Sequence, residues 1–428
     1  MSTPLRLGIA GLGTVGAGVL RLVERHGALL QARTGRAITI SAVSARTRGK
    51  DRGVDLSSLA WEDDPGALAR RDDVDLFVEL MGGSDGPAKA ATEAALSLGK
   101  PVVTANKAMI ALHGQALAEL AEANDAPLRF EAAVAGGIPC VKALTEGLAG
   151  NAVTRVSGVM NGTCNYILTR METSGLPYDE IFREASELGY LEADPTLDVG
   201  GIDAGHKLAI LSAIAFGTRV DFDGVQLQGI ERVSIDDIRR AGDMGYRIKL
   251  LGEARRTEAG IEQSMRPTLV PADSPLGQLE GGTNMVVIEG DAVGQIVLRG
   301  AGAGEGPTAS AVMADVADIA RGLRIAAFGQ PAATLERAQR ATAATPCAHY
   351  IRLSLRDEPG AMAKVATELG RSGISIDRMR QYDHPGDDAP VLIVTHPCAP
   401  SDLTEALRGV TGTGVVNGEP VALQIQTP

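Results

Sequence analysis

At 428 residues the chain is too long for one hydrophobic core, so two or three domains are expected. A net charge of −12 excludes the basic footprint of a nucleic-acid-binding protein. The longest apolar run beyond the N-terminal stretch, residues 208–216, is too short to span a bilayer, so no membrane partner is expected.

In chain order, residues 5–10 read as a buried strand that runs into Gly11-Leu12-Gly13-Thr14-Val15-Gly16. A helical pattern follows to about residue 32, with Val15, Val19, Leu22 and Val23 at helical spacing. Further β-rich runs lie at 37–44, 74–80 and 101–104, and helical patterns at 65–71, 86–98 and 113–123. This alternation predicts a doubly wound parallel sheet. From about residue 131 the texture changes to glycine-rich turns, longer helices and isolated β-runs, an α+β pattern. A second glycine cluster at 300–306 precedes Pro307 and a helix to about residue 322. The Ala/Thr/Pro-rich stretch after it reads as a linker. The last eighty or so residues read as a separate β-α-β-β-α-β unit, the ferredoxin-like order.

Cys140, Cys164, Cys347 and Cys398 lack metal-type spacing and are too few for a disulfide framework. Because residues 5–10 read as a strand and not as a signal segment, a reducing cytoplasm is the expected location.

Gly11, Gly13 and Gly16 supply a tight turn, a close backbone approach and a close helix–strand contact. A dinucleotide pyrophosphate can then rest on the N–H groups of Thr14, Val15 and Gly16. At the tip of the second strand stands Ser44-Ala45-Arg46, with no carboxylate to take a ribose hydroxyl. Arg46 there favours a 2′-phosphate and therefore NADP over NAD, unless it is only a solvated loop cation.

The segment from Glu187 to Lys207 carries the chemistry. A helix ends near Gly189, a loop holds Glu192, Asp194 and Asp198, and a new helix near Ile202 carries Asp203 and Lys207. Their spacing of four puts carboxylate and ammonium on one helix face. Two readings stand at this point: an ordinary surface ion pair, or a lysine poised for proton exchange on a buried helix beside a cleft.

The segment resembles the homoserine dehydrogenase signature, in which a Gly-Tyr-x-Glu-x-Asp-Pro loop leads into an Asp-x-x-x-Lys helix. Thr104-Ala105-Asn106-Lys107 is similar to that family's Ala-Asn-Lys turn. The stretch from Glu131 to Pro139 resembles its Glu-x-x-Val-x-Gly-x-Ile-Pro segment, and Asn161-Gly162-Thr163-Cys164-Asn165-Tyr166-Ile167 its Asn-Gly-Thr-x-Asn-Tyr-Ile run. Residues 302–310 resemble its late glycine loop, with Ala301 where the family often has proline. The matches run in order across roughly residues 5–325.

The resemblance implies reversible, NADP-dependent reduction of L-aspartate 4-semialdehyde to L-homoserine, within threonine, methionine and isoleucine biosynthesis. It implies Lys207 as general acid/base, with Asp203 and Asp198 lining the polar site and Glu192 on the substrate amino group. Lys107 would lie beside the nicotinamide and the substrate, and Gly304 would return to the cofactor. Glu131, Val134, Gly136 and Ile138 would offer oxygens, mostly backbone carbonyls, to a monovalent cation such as sodium. Which of Lys107 and Lys207 transfers the proton stays open.

In the tail, the run Tyr350 to Gly360 and the later Gly373-Ile374-Ser375-Ile376-Asp377 resemble an ACT domain. By that resemblance the Asp357–Gly360 turn is expected to hold an amino-acid carboxylate, with threonine as inhibitor, or else the unit only mediates pairing. A homodimer or homotetramer is implied. Two alternatives remain: a catalytically silent NADP- and amino-acid-responsive sensor, or another semialdehyde oxidoreductase of the same fold. A phosphorylating version of the latter needs a nucleophilic cysteine, and neither Cys140 nor Cys164 has a convincing setting. His206 faces about 100° away from Lys207 on the helix and reads as a surface or packing residue.

The expected architecture is thus α/β. A Rossmann-type domain covers 1–130, with 305–330 returning to it. An α+β catalytic and oligomerisation domain covers 131–304, a linker 331–347, and a ferredoxin-like ACT domain 348–428.

Overall fold

The structure, a computed structural model, describes residues 3–191, 194–382, 386 and 388–426. The first sheet contains β1 (Leu5–Ala10), β2 (Ile38–Ser44), β3 (Ala60–Glu62), β4 (Leu76–Glu79), β5 (Val102–Thr104) and β6 (Leu128–Arg129). Its strands are all parallel, in the order β3-β2-β1-β4-β5-β6. The central strands β1 and β4 are buried on both faces, as their nearly unbroken apolar runs require. Helices α1 (Thr14–Thr34), α2 (Pro65–Arg70), α3 (Pro87–Ser97) and α4 (Lys107–Ala123) connect them. The strand order reverses between β1 and β4, which opens a crevice at their carboxyl ends.

The middle of the chain lays helices on a mixed sheet. A short helix α5 (Cys140–Lys142) runs into a π-turn at Ala143–Gly147, then come β7 (Val153–Val159), α6 (Gly162–Ser174), α7 (Tyr178–Glu187), α8 (Pro195–Val199) and α9 (Ile202–Phe216). The sequence Leu208-Ala209-Ile210-Leu211 makes α9 apolar nearly all round, and it is buried along almost its whole length. After β8 (Gln226–Leu227), the capping box of Ser234 and Asp237 starts α10 (Ile235–Asp243). The strands β9 (Tyr246–Thr257), β10 (Gly260–Pro271), β11 (Thr283–Gly290) and β12 (Gly294–Ala301) follow. Helix α11 (Glu305–Ala320) packs along α1, on the first sheet's layer. Pro307 is its third residue, in the first turn, where the missing N–H costs no hydrogen bond.

The tail comprises β13 (His349–Arg356), α12 (Ala361–Arg371), β14 (Ile376–Gln381), β15 (Asp388–Thr395), α13 (Pro400–Gly412) and β16 (Val416–Ile425). It is less separate than its sequence suggests. Thr268 and Leu269 of β10 pair in parallel with Gln424 and Ile425 of β16, joining middle and tail strands into one ten-stranded sheet. The preceding linker-like stretch is also tied down, with Glu336 bridging Thr218 and Arg340 bridging Ile261. A continuous apolar core runs from Phe77 and Met109 through Leu208 and Leu250 to Tyr350 and Leu423. Among the described residues no helix is long and apolar enough to cross a membrane.

Candidate active site

The glycine loop has the geometry of a pyrophosphate cradle. Gly11 has φ +101°, and a Cβ there would meet the Leu80 carbonyl oxygen at 2.4 Å. A Cβ at Gly16 would lie 2.1 Å from the Gly11 carbonyl oxygen, so only glycine lets helix and strand approach this closely. Gly13 caps α1 without any side-chain hydrogen bond and has open space where its Cβ would stand. The first N–H groups of the helix, at Thr14, Val15 and Gly16, therefore remain for an anion.

At the tip of β2, Arg46 is exposed and begins a basic run. Arg48 and Arg52, which sequence reasoning passed over, lie 5.8 and 5.7 Å from the Trp61 ring. Arg52 also donates to the Leu12 carbonyl at 3.1 Å, which fixes it to the glycine loop. Gly304 caps α11 at φ +116°, and the next residue, Glu305, pairs with Arg21 of α1. This places the late glycine loop against the helix that follows the first one.

Asn106 caps α4 by accepting from the Met109 N–H at 3.0 Å, and Lys107 is the first residue of that helix. The Lys107 ammonium reaches across to Asp203 on α9. From the other side, Lys207 donates to Asp203 Oδ2 at 2.7 Å and to the Met160 carbonyl at 2.9 Å. Asp203 and Lys207 are 5% and 8% exposed, which rules out an ordinary surface pair. Burial alone would raise the Asp203 pKa, but the two ammonium groups outweigh it and hold the carboxyl well below the usual range. Two lysines from different domains thus share one ionised carboxylate.

Asp198 is buried on α8 and accepts from Asn161 Nδ2 at 2.9 Å. Asn161 also caps α6 by accepting from the Cys164 N–H at 2.7 Å. The sequence flagged Asn161 only as part of a resembling run, because its link to Asp198 spans 37 residues. Glu192 lies outside the described residues. His206 packs on Phe222, ring centroids 4.2 Å apart, and burial lowers its pKa. Burial pushes the Cys140 and Cys164 thiols well above their ordinary range, which removes the thiolate a nucleophile needs.

The 131–138 loop lies beside this site. The Glu131 carboxylate accepts from the N–H groups of Val141 and Lys142 at 3.0 and 2.7 Å, and burial, with Asp315 nearby, pushes its pKa up to about 7. Val134, Gly136 and Ile138 are buried. Ala135 and Gly136 both take positive φ, and a Cβ at Gly136 would meet the Gly302 carbonyl oxygen at 2.5 Å.

In the tail, Gly360 caps α12 at φ +88°, which places the Asp357–Gly360 turn at that helix's N-terminus. On the side facing the middle domain, Arg352 of β13 donates to Asp237 Oδ1 at 2.6 Å, and Asp237 is fully buried.

Comparison with known proteins gives three family matches. Models described as "Homoserine dehydrogenase, NAD binding domain", "Homoserine dehydrogenase" and "ACT domain" match residues 11–131, 139–317 and 349–409. A curated homoserine dehydrogenase from Pseudomonas aeruginosa is 39% identical over 432 residues, covering 99% of each chain. A crystal structure of a homoserine dehydrogenase from Thiobacillus denitrificans is 38% identical, with a TM-score of 0.94 over 99% of each chain. A hyperthermophilic archaeal homoserine dehydrogenase in complex with NADPH is 26% identical, with a TM-score of 0.65 over 76% of this chain and 99% of its own.

Proposed function

The chain belongs to the homoserine dehydrogenase family, an NAD(P)-dependent oxidoreductase family, and from that membership we propose a specific assignment of its residues. The reaction interconverts L-homoserine and L-aspartate 4-semialdehyde. When bound, the nicotinamide supplies the hydride for the aldehyde carbon and accepts it in reverse.

The observation that carries the assignment is Asp203 held between Lys207 and Lys107. Lys207 is the proton donor to the developing alkoxide and the proton acceptor in reverse. It is buried, and its ammonium is aimed by Asp203 and the Met160 carbonyl, so orientation is set before substrate arrives. Lys107, reaching the same carboxylate from the nucleotide-binding domain, borders the nicotinamide and the substrate. Asp198 lines the polar site, and Glu192 takes the substrate amino group.

NADP is the preferred cofactor, because the exposed Arg46 follows β2 and no carboxylate stands at that strand's own end. The archaeal relative's NADPH complex agrees with this choice. A monovalent cation such as sodium is assigned to the 131–138 loop, on oxygens, mostly backbone carbonyls, of Glu131, Val134, Gly136 and Ile138; the Glu131, Val134 and Ile138 carbonyls also accept hydrogen bonds within the loop. Its role is structural, bracing that loop against Gly302.

The tail senses an amino acid, with threonine as inhibitor. The Asp357–Gly360 turn at the α12 N-terminus suits a carboxylate, and the Arg352–Asp237 pair joins the tail to α10. The exposed edge strands β12 and β14 suit assembly into a homodimer or homotetramer.

Initial rates with L-homoserine and either NADP or NAD, read from the absorbance of the reduced nicotinamide, test the reaction. Phosphate-independent turnover preferring NADP is expected. No turnover with either cofactor would remove the assignment.

A further inference from the structure

The crevice at the carboxyl ends of β1, β4 and β5 contains a charged group with no part in the assignment above. Glu79 is the last residue of β4 and has no solvent exposure. In register it stands between Ala10, at the end of β1, and Thr104, at the end of β5. Among the described residues its partners are hydrogen-bond donors, and no cation is among the groups that shift its titration. A buried carboxylate without a cation is costly and persists only where hydrogen bonds satisfy it.

Those hydrogen bonds go to two separate loops. Oε1 accepts from the N–H groups of Met81 and Gly82 at 2.7 and 3.2 Å. Gly82 and Gly83 have φ of +77° and +86°, a conformation open to glycine that curls the backbone N–H groups around an anion. Oε2 accepts from Thr104 Oγ1 at 2.6 Å. Thr104 Oγ1 in turn accepts from the Asn106 N–H at 3.0 Å, and Asn106 Nδ2 donates to the Gly83 carbonyl at 2.6 Å. The circuit closes on itself, and Lys107 is the next residue. A carboxylate accepts on both oxygens here; a glutamine can turn its N–H₂ only towards the Thr104 hydroxyl, whose O–H then loses its acceptor.

We infer that Glu79 is a positioning residue for hydride transfer: its carboxylate locks the 81–83 loop to the Thr104–Lys107 turn and so fixes Lys107 relative to Asp203 and Lys207. The inference rests on the placement of Lys107 beside the nicotinamide proposed above. Burial raises the Glu79 pKa and outweighs the hydrogen bonds from Thr104, Met81 and Gly82, which act to lower it.

The test compares wild type with Glu79→Gln, Thr104→Val, Thr104→Ser and the Glu79→Gln/Thr104→Val double variant. For each, kcat and KM with homoserine are measured beside the affinity for adenosine 2′,5′-bisphosphate, the cofactor half that lacks the nicotinamide. The expected result for Glu79→Gln and Thr104→Val is a loss of at least about tenfold in kcat, with fragment affinity unchanged. Thr104→Ser, which keeps the hydroxyl, should stay near wild type, and the double variant should be no worse than the poorer single one. Wild-type kcat in Glu79→Gln overturns the inference. So does a matching loss of fragment affinity, which would mean general disruption of the domain. Lys107→Ala separates the two levels. If it loses activity while Glu79→Gln does not, only the role of Glu79 falls. If it keeps full activity, the placement of Lys107 beside the nicotinamide falls, and the inference with it.

Discussion

Asp203 sets the charge state of the site, and its substitution is the sharpest test at the scale of one residue. Asp203→Asn removes the anion and leaves two ammonium groups facing each other, one of them buried. The repulsion should displace both lysines. Steady-state rates should fall about a hundredfold or more, with NADP affinity retained, since the glycine loop does not touch Asp203. Arg46 makes a different prediction. Arg46→Ala, assayed with both cofactors, should raise the KM for NADP by about tenfold and leave that for NAD unchanged, because one guanidinium–phosphate contact is lost. The spacing of Asp203 and Lys207 was legible in the sequence, but it left a surface ion pair and a lysine on a buried helix both open, and only the fold decides for the second. The arrival of Lys107 from a helix almost a hundred residues earlier was not legible, since no local pattern encodes which strand end faces which helix. Glu79 escaped notice for the same reason: in sequence it is the polar end of an apolar strand.

At the scale of elements, the alternating strands and helices of the first 130 residues were readable because parallel strands buried on both faces give unbroken apolar runs. The start of α4 was not. The pattern predicts a helix over 113–123, whereas it begins at Lys107 because the Asn106 side chain caps it. A capping asparagine inside Thr-Ala-Asn-Lys looks like a turn until the partner N–H is known. The first strand of the tail carries a further consequence. His349 opens β13 with 6% exposure, and burial lowers its pKa to about 4. The unfolded chain protonates it near pH 6.5 while the folded chain does not, so the unfolded state binds more protons in that interval. Stability should therefore be fully present above pH 6.5 and decline as the pH falls towards about 4, by at most about 3 kcal/mol. Denaturation midpoints across that interval should show the decline in wild type and a flatter profile in His349→Gln. Equal slopes would show that another group governs it.

At the scale of the whole molecule, the tail and the middle domain share a sheet. The sequence order identifies a ferredoxin-like unit but cannot reveal that Gln424 and Ile425 pair with residues about 155 positions earlier, because both strands satisfy their own alternation without each other. The Arg352–Asp237 pair is the polar part of that junction. Arg352→Ala leaves Asp237 buried beside only neutral donors, Ser234 and Tyr350, and should cost about 3 kcal/mol of stability. If the tail regulates through this junction, the variant should keep its basal rate while threonine inhibition weakens. Unchanged inhibition would place the route elsewhere.

The central claim is that Lys207 moves the proton. Homoserine-dependent reduction of NADP by wild type and by Lys207→Ala, with NADP affinity measured on both proteins, tests it most directly. The rate in the variant should fall about a thousandfold while NADP affinity is unchanged. A Lys207→Ala protein that turns over within about threefold of wild type would contradict it, since removing a general acid/base costs far more than that.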